Sequence, residues 1–105
     1  MALFKKKKTV VEELTSEKLI MEQLVSDDDA FITDLARKMM AGSPLILNFE
    51  NLHIDRANKV IAFMSGVVYA INGHIVEINE ATYLFGNQDL YQDGSIETWL
   101  RTNLN

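Results

Sequence analysis

The chain reads as an α/β domain, a two-layer sandwich with two helices on one face of a mixed four- to five-stranded sheet in the order β-α-β-α-β-β. Three patterns lead to that fold. Ile32, Leu35, Ala36 and Met39 repeat at i, i+3, i+4, i+7, and so do Ala57, Val60, Ile61 and Met64. Each set is the single apolar stripe of a helix lying on a core. Between them, Pro44-Leu45-Ile46-Leu47-Asn48-Phe49 is almost wholly apolar, which suits a strand covered on both faces. After the second repeat, Asn72-Gly73 marks a tight turn. His74–Ile78 and Ala81–Phe85, joined by Asn79-Glu80, then read as two antiparallel strands.

Residues 1–8 form a short apolar-basic tip, and residues 9–17, polar around Val10, Val11 and Leu14, read as a linker or a loose helical turn. The organisation expected is therefore a tip and linker over 1–17 and one core domain over 18–105. Lys18 to Leu24, with Leu19, Ile20 and Met21 apolar, predicts the first strand. Ser26 is the expected N-cap of the first helix, because its hydroxyl can accept from free backbone N–H groups, and Asp29 follows three residues later as in a capping box. Asp27, Asp28 and Asp29 also suit the positive end of the helix dipole, while Arg37, Lys38 and Gly42 suit its end.

Pro44 has no N–H to donate, so it fits only the first position of the next strand. Asn51 or His53 leads into the second helix, which Gly66 interrupts before the chain continues to Ile71. Near the end, Leu90-Tyr91 offers an edge strand, and Ser95 can cap a short helix through Trp99 and Leu100. A strand–helix–strand unit implies parallel pairing with a right-handed crossover. Two helices cover one sheet face. The other face needs a cover too, and with no further long helix expected, a second subunit is the natural one.

Composition narrows the function. With 105 residues the chain fits one small domain, and a domain of this size commonly gains burial by dimerising. There are no cysteines, which excludes disulfides and thiolate metal sites. No apolar run approaches the roughly 18 residues of a membrane-spanning helix. The tip puts its apolar residues before its lysines, the reverse of a secretory signal, so the chain reads as cytoplasmic. Net charge is −5; with Lys5, Lys6, Lys7 and Lys8 set aside, six basic residues stand against fifteen acidic ones. Such a body repels nucleic acid, whereas the basic tip suits an anionic surface. Phosphate-binding glycine loops, G-x-S-x-G and H-E-x-x-H are missing, so nothing marks an enzyme. His53 and His74 lack companions for a metal site, and Asp27–Asp29 lacks the spacing of a calcium loop. No cofactor is expected.

Leu45-Ile46-Leu47-Asn48-Phe49-Glu50-Asn51-Leu52, then Phe63-Met64-Ser65-Gly66-Val67-Val68-Tyr69-Ala70-Ile71-Asn72-Gly73, resemble the core of the SepF family. There an apolar strand ending in V-N-L precedes a helix carrying F-L-S-G-x-x-Y-A-x-x-G. Glu22 and Ser26-Asp27-Asp28-Asp29-Ala30 are similar to the family's E-P-x-S-x-x-D-A segment, and Tyr83-Leu84-Phe85 sits where its last core strand begins.

The resemblance implies a non-catalytic division factor that dimerises, binds the C-terminal tail of FtsZ and touches the membrane through an N-terminal segment. It places Ala57 and Tyr83 near positions associated with the FtsZ tail, with Phe63 at an aromatic position of the motif. Phe85 joins them as lying on Tyr83's side of its strand. Gly66 matches the glycine of close packing between helices or subunits, and Tyr69 the second aromatic position. Leu3, Phe4 and Lys5–Lys8 form the candidate membrane contact. For these tip residues a solvated terminus is the alternative, since one tip alone binds weakly and a dimer with two holds better. The long linker of bacterial members is reduced to 9–17, Gln23 stands where proline is common, and Asn72 replaces the first glycine of a Gly-Gly pair. Two other readings stand beside the adaptor: a self-assembling protein without FtsZ affinity, and a small-molecule-binding regulatory domain.

Overall fold

The structure, a computed structural model, describes residues 13–104. Its elements are a 3-10 turn (Thr15–Lys18), β1 (Ile20–Gln23), α1 (Asp29–Met40), β2 (Leu45–Asn48), α2 (Ile54–Ala70), β3 (His74–Asn79), β4 (Thr82–Gly86) and α3 (Ser95–Asn103). The four strands form one mixed sheet in the order β1-β2-β4-β3. β1 and β2 run parallel, as a strand–helix–strand unit requires, while β4 is antiparallel to both β2 and β3. The α/β class and the β-α-β-α-β-β order follow the sequence pattern.

Alternation along the central strands separates two cores. Leu45 and Leu47 of β2 and Phe85 of β4 point toward the helices. There they pack with Ile32, Leu35, Ala36 and Met39 of α1 and Ala57, Val60, Met64 and Val68 of α2. Ile46 and Leu84 point the other way, into a second cluster with Leu90 and Ile96. That second face corrects one expectation. It is covered in part by the chain itself, because the nine-residue α3 lays Ile96, Trp99 and Leu100 over it. Leu90 belongs to this cover and not to a fifth strand: Asn87–Gly94 turns back on itself, and Leu90 N donates to Asn87 O at 3.1 Å.

Helix ends differ from the expected ones in instructive ways. Ser26 is not the cap of α1: Asp28 is, its carboxylate accepting from Phe31 N at 3.3 Å, while Ser26 Oγ accepts from Asp28 N one turn earlier. Three consecutive aspartates can all serve an N-terminus, and chain direction selects among them. Gly66 does not interrupt α2, which runs through it to Ala70. A lone glycine costs a helix only about 1 kcal/mol relative to alanine, which packing overrides. Both long helices end in paired backbone bonds that require a left-handed residue. In α1 it is Gly42 (φ 116°), with Ser43 N on Lys38 O and Gly42 N on Met39 O. In α2 the residue is Asn72 (φ 55°), with Gly73 N on Val68 O and Asn72 N on Tyr69 O. Asparagine therefore serves here where glycine is usual. Gly73 has a different reason: any Cβ there would collide with the carbonyl oxygen of Gly86.

One carboxylate joins the two ends of the described chain. Asp93 accepts from Ser95 N (3.0 Å), Ser95 Oγ (2.7 Å), Thr15 N (2.8 Å) and Thr15 Oγ1 (3.1 Å), while Ser16 N donates to Ser95 Oγ at 2.9 Å. The backbone amide of Ser95, then that of Thr15, and the two hydroxyls hold its carboxyl far below the usual aspartate range.

Two outcomes follow. Ile96→Ala, at a fully buried position of α3, is expected to cost about 2–4 kcal/mol in urea unfolding. Asp93 has a depressed pKa when folded, so its contribution is present above the ordinary aspartate pKa of about 3.9 and lost as pH falls below it. The urea midpoint of Asp93→Ala should therefore lie below wild type at neutral pH and approach it in strong acid.

Candidate functional site

The sheet ends in a cleft at the C-terminal end of β2. There the chain leaves the sheet through Phe49, and Phe49 N donates to Ala81 O at 2.8 Å, tying it to the β3–β4 turn. Asn48 strengthens this corner twice: its Nδ2 donates to Thr82 Oγ1 (2.9 Å), and its Oδ1 accepts from Glu50 N (3.0 Å). Asn79 Oδ1 accepts from Ala81 N at 2.9 Å on the facing side. Short polar side chains thus hold both loops, while the first turns of α2 close the third wall.

The cleft has a volume of about 380 Å³ and is lined by Phe49, Leu52, Ile54, Ala57, Ile61 and Tyr83 together with the polar Glu50, Asn58 and Glu80. Ala57 is buried at 5% exposure, so a small side chain there leaves the space that defines the cleft. Tyr83 is half-buried. Its ring meets Phe49 edge-on (centroids 5.9 Å, 77°) and stacks on Phe85 (6.2 Å, 29°). Such pairs favour a fixed ring orientation beyond simple area burial. A cleft of mixed apolar and polar lining with an anchored aromatic wall suits the side chains of an extended peptide or a neighbouring chain.

Of the four residues expected at a tail-binding surface, Ala57 and Tyr83 come together here and two do not. Phe85 does lie on Tyr83's side of β4, but it is fully buried in the main core, behind Tyr83. Phe63 follows Ala57 by six residues, about two-thirds of a helical turn away in orientation, and faces α1. It lines a separate groove of about 350 Å³ with Ile32, Val60 and Thr33, at whose end Lys59 Nζ lies 3.4 Å from both Asp27 and Asp29.

Gly66 and Tyr69 lie on the outward side of α2. Among the described residues, apart from its chain neighbours and the helix's own backbone, no atom stands within 4 Å of where a Gly66 Cβ would be, and Tyr69 is 88% exposed. Leu3, Phe4 and Lys5–Lys8 lie outside the described residues.

The pattern missed Phe49, Leu52, Ile54 and Ile61. Ile54 and Ile61 share a helix side with Ala57 at i, i+3, i+7, beside the core stripe. That lateral apolar row was the available signal. His53 caps α2, its Nδ1 accepting from Asp55 N at 3.3 Å, and His74 packs edge-on against Tyr91 at 4.9 Å. Among the described residues, no group of three or more His, Asp or Glu is placed to hold a metal ion, and no helix is long and apolar enough to cross a membrane.

The family model "Cell division protein SepF" matches residues 23–86, more than half of the chain, from the end of β1 through β4 and including the whole cleft. A protein of that name from Carboxydothermus hydrogenoformans is 28% identical over 79 residues, covering 73% of this chain and 58% of the relative. One from Natranaerobius thermophilus is 31% identical over 65 residues, 62% of this chain and 39% of the relative. One from Pelotomaculum thermopropionicum is 29% identical over 80 residues, 68% and 54%. The chain therefore spans only about half the length of the curated relatives it matches.

The two aromatic positions should separate in stability measurements. Phe85→Ala, at a fully buried site, is expected to cost about 3–5 kcal/mol in urea unfolding. Tyr83→Ala, at a half-buried site, should cost clearly less and leave the chain folded by circular dichroism.

Proposed function

The chain belongs to the SepF family of cell division proteins, and we propose that it is a non-enzymatic adaptor whose Ala57–Tyr83 cleft docks the C-terminal tail of FtsZ. The observation that carries this reading is the cleft itself. Ala57 and Tyr83, far apart in sequence and both near family positions associated with the tail, line one cleft together. Apolar side chains of an extended peptide would enter between them, with Tyr83 held in place by Phe49 and Phe85. Phe63, in a different groove, and Phe85, inside the core, act behind or beside the cleft and not as its walls.

The adaptor is proposed to work as a dimer at the division site on the inner face of the cell membrane. Residues 1–17 form the tip and linker and 18–105 the core, with Leu3, Phe4 and Lys5–Lys8 as a weak membrane contact. Two tips on one dimer would bind a surface far better than one, since the second contact is intramolecular. Self-assembly has its own support: Gly66, the exposed Ala62 and the fully presented Tyr69 make a surface of small residues beside one aromatic knob on α2. Among the described residues nothing requires glycine at Gly66, which fits a role in contact with another copy.

Four measurements test the proposal. In fluorescence anisotropy a labelled FtsZ tail peptide should bind saturably, and Tyr83→Ala should weaken it at least tenfold while the protein stays folded, consistent with loss of an aromatic anchor. Unchanged binding would remove the cleft from the mechanism. Gly66→Ala should raise monomer stability by about 0.5–1 kcal/mol, because the helix gains and no clash arises. Gly66→Lys should lower self-association in sedimentation velocity. Deleting residues 1–8 should abolish co-sedimentation with anionic liposomes.

A further inference from the structure

The cleft sets apolar side chains beside acidic ones. Glu50 and Glu80 are its only charged lining residues; no lysine, arginine or histidine joins them. The two glutamates sit on different loops, yet the Phe49 N–Ala81 O bond locks those loops side by side, one residue from each carboxylate. Both side chains are exposed, and neither is among the ion pairs of the described residues, which use Lys38, His53 and Lys59. Two carboxylates lining one cleft, with no basic residue in its lining, favour a cationic group there.

We infer that Glu50 and Glu80 select a peptide carrying a lysine or arginine next to the apolar residue that fills the cleft. This rests on the cleft being the peptide site and adds which class of peptide it takes and how the peptide is registered. The apolar residue enters against Ala57 and Tyr83, and the basic side chain then falls beside the two carboxylates. Both carboxylates are solvated, so the charge contact adds discrimination and encounter rate more than tight affinity, and salt weakens it.

The test titrates wild type and the double variant Glu50→Gln/Glu80→Gln with a labelled FtsZ tail peptide and with the same peptide after every Lys and Arg is replaced by Gln. At low salt, wild type should bind the parent about three- to tenfold more tightly than the neutral peptide, and the preference should fade at high salt. The double variant, whose exposed changes leave the fold intact, should bind both peptides alike. Equal binding of the two peptides by wild type overturns the inference. So does a preference that survives in the double variant, since the basic residue would then be read elsewhere. Tyr83→Ala separates the two levels. If it loses the parent peptide while the double variant keeps its preference, the cleft stands and only the charge reading falls. If Tyr83→Ala binds as wild type does, or if wild type binds neither peptide, the cleft reading and this inference fall together.

Discussion

The structure depends on β2, a four-residue strand with no exposed face. Leu45 and Leu47 are fully buried against the helices, and Ile46, at 5% exposure, is buried against the opposite layer. Its neighbours follow from that position. β1 pairs with it in parallel because α1 must cross over a covered face, and β4 pairs on its other edge. Removing one such side chain typically costs about 2–5 kcal/mol, against a whole-domain stability on the order of 5–15 kcal/mol. A single strand therefore holds three layers, and little variation in it is affordable.

The cleft is a direct consequence of how β2 ends. A buried strand cannot leave the sheet without satisfying its last backbone groups, and here Asn48 and the Phe49–Ala81 bond do so by tying the exit to the β3–β4 turn. The same ties fix the distance between α2 and that turn. With alanine at position 57 the space between them stays open, and Tyr83, braced on two aromatic rings, cannot swing in to fill it. The candidate site is thus a gap left by well-satisfied neighbours and not a flexible surface.

The other sheet face is built from parts outside the residues that match the SepF family model. α3 and the 3-10 turn flank the matched span 23–86. Asp93 joins them by accepting four hydrogen bonds from Thr15 and Ser95, and Ser16 N adds a fifth bond to Ser95 Oγ. This clasp fixes Thr15 and Ser16 on the side of α3. The cleft draws its walls from α2 and from the sheet's end. Met21, 57% exposed on β1, shows that α3 covers its face incompletely.

Local pattern alone was enough for the two long helices, the buried strand and the closing hairpin. Their signals repeat with the period of the structure they form: Ile32, Leu35, Ala36 and Met39 with the helix, Leu45–Leu47 as an unbroken apolar run, Asn72-Gly73 as a turn. The family was legible as well, because its motif falls on α2 and is contiguous. The short α3 was legible as a helix but not as a cover, since nine residues carry too few apolar positions to announce which surface they seek. Which aspartate caps α1 was equally hidden, because Ser26, Asp28 and Asp29 offer the same chemistry and only the chain's path distinguishes them. The cleft divided the same way. Ala57 and Tyr83 could be named one by one, but Phe85 shares Tyr83's side of β4 and is still core, and Phe63 sits around the helix from its supposed partners. A cavity is a distance between elements, and the bond from Phe49 to Ala81 that sets it joins residues that no period in the sequence connects.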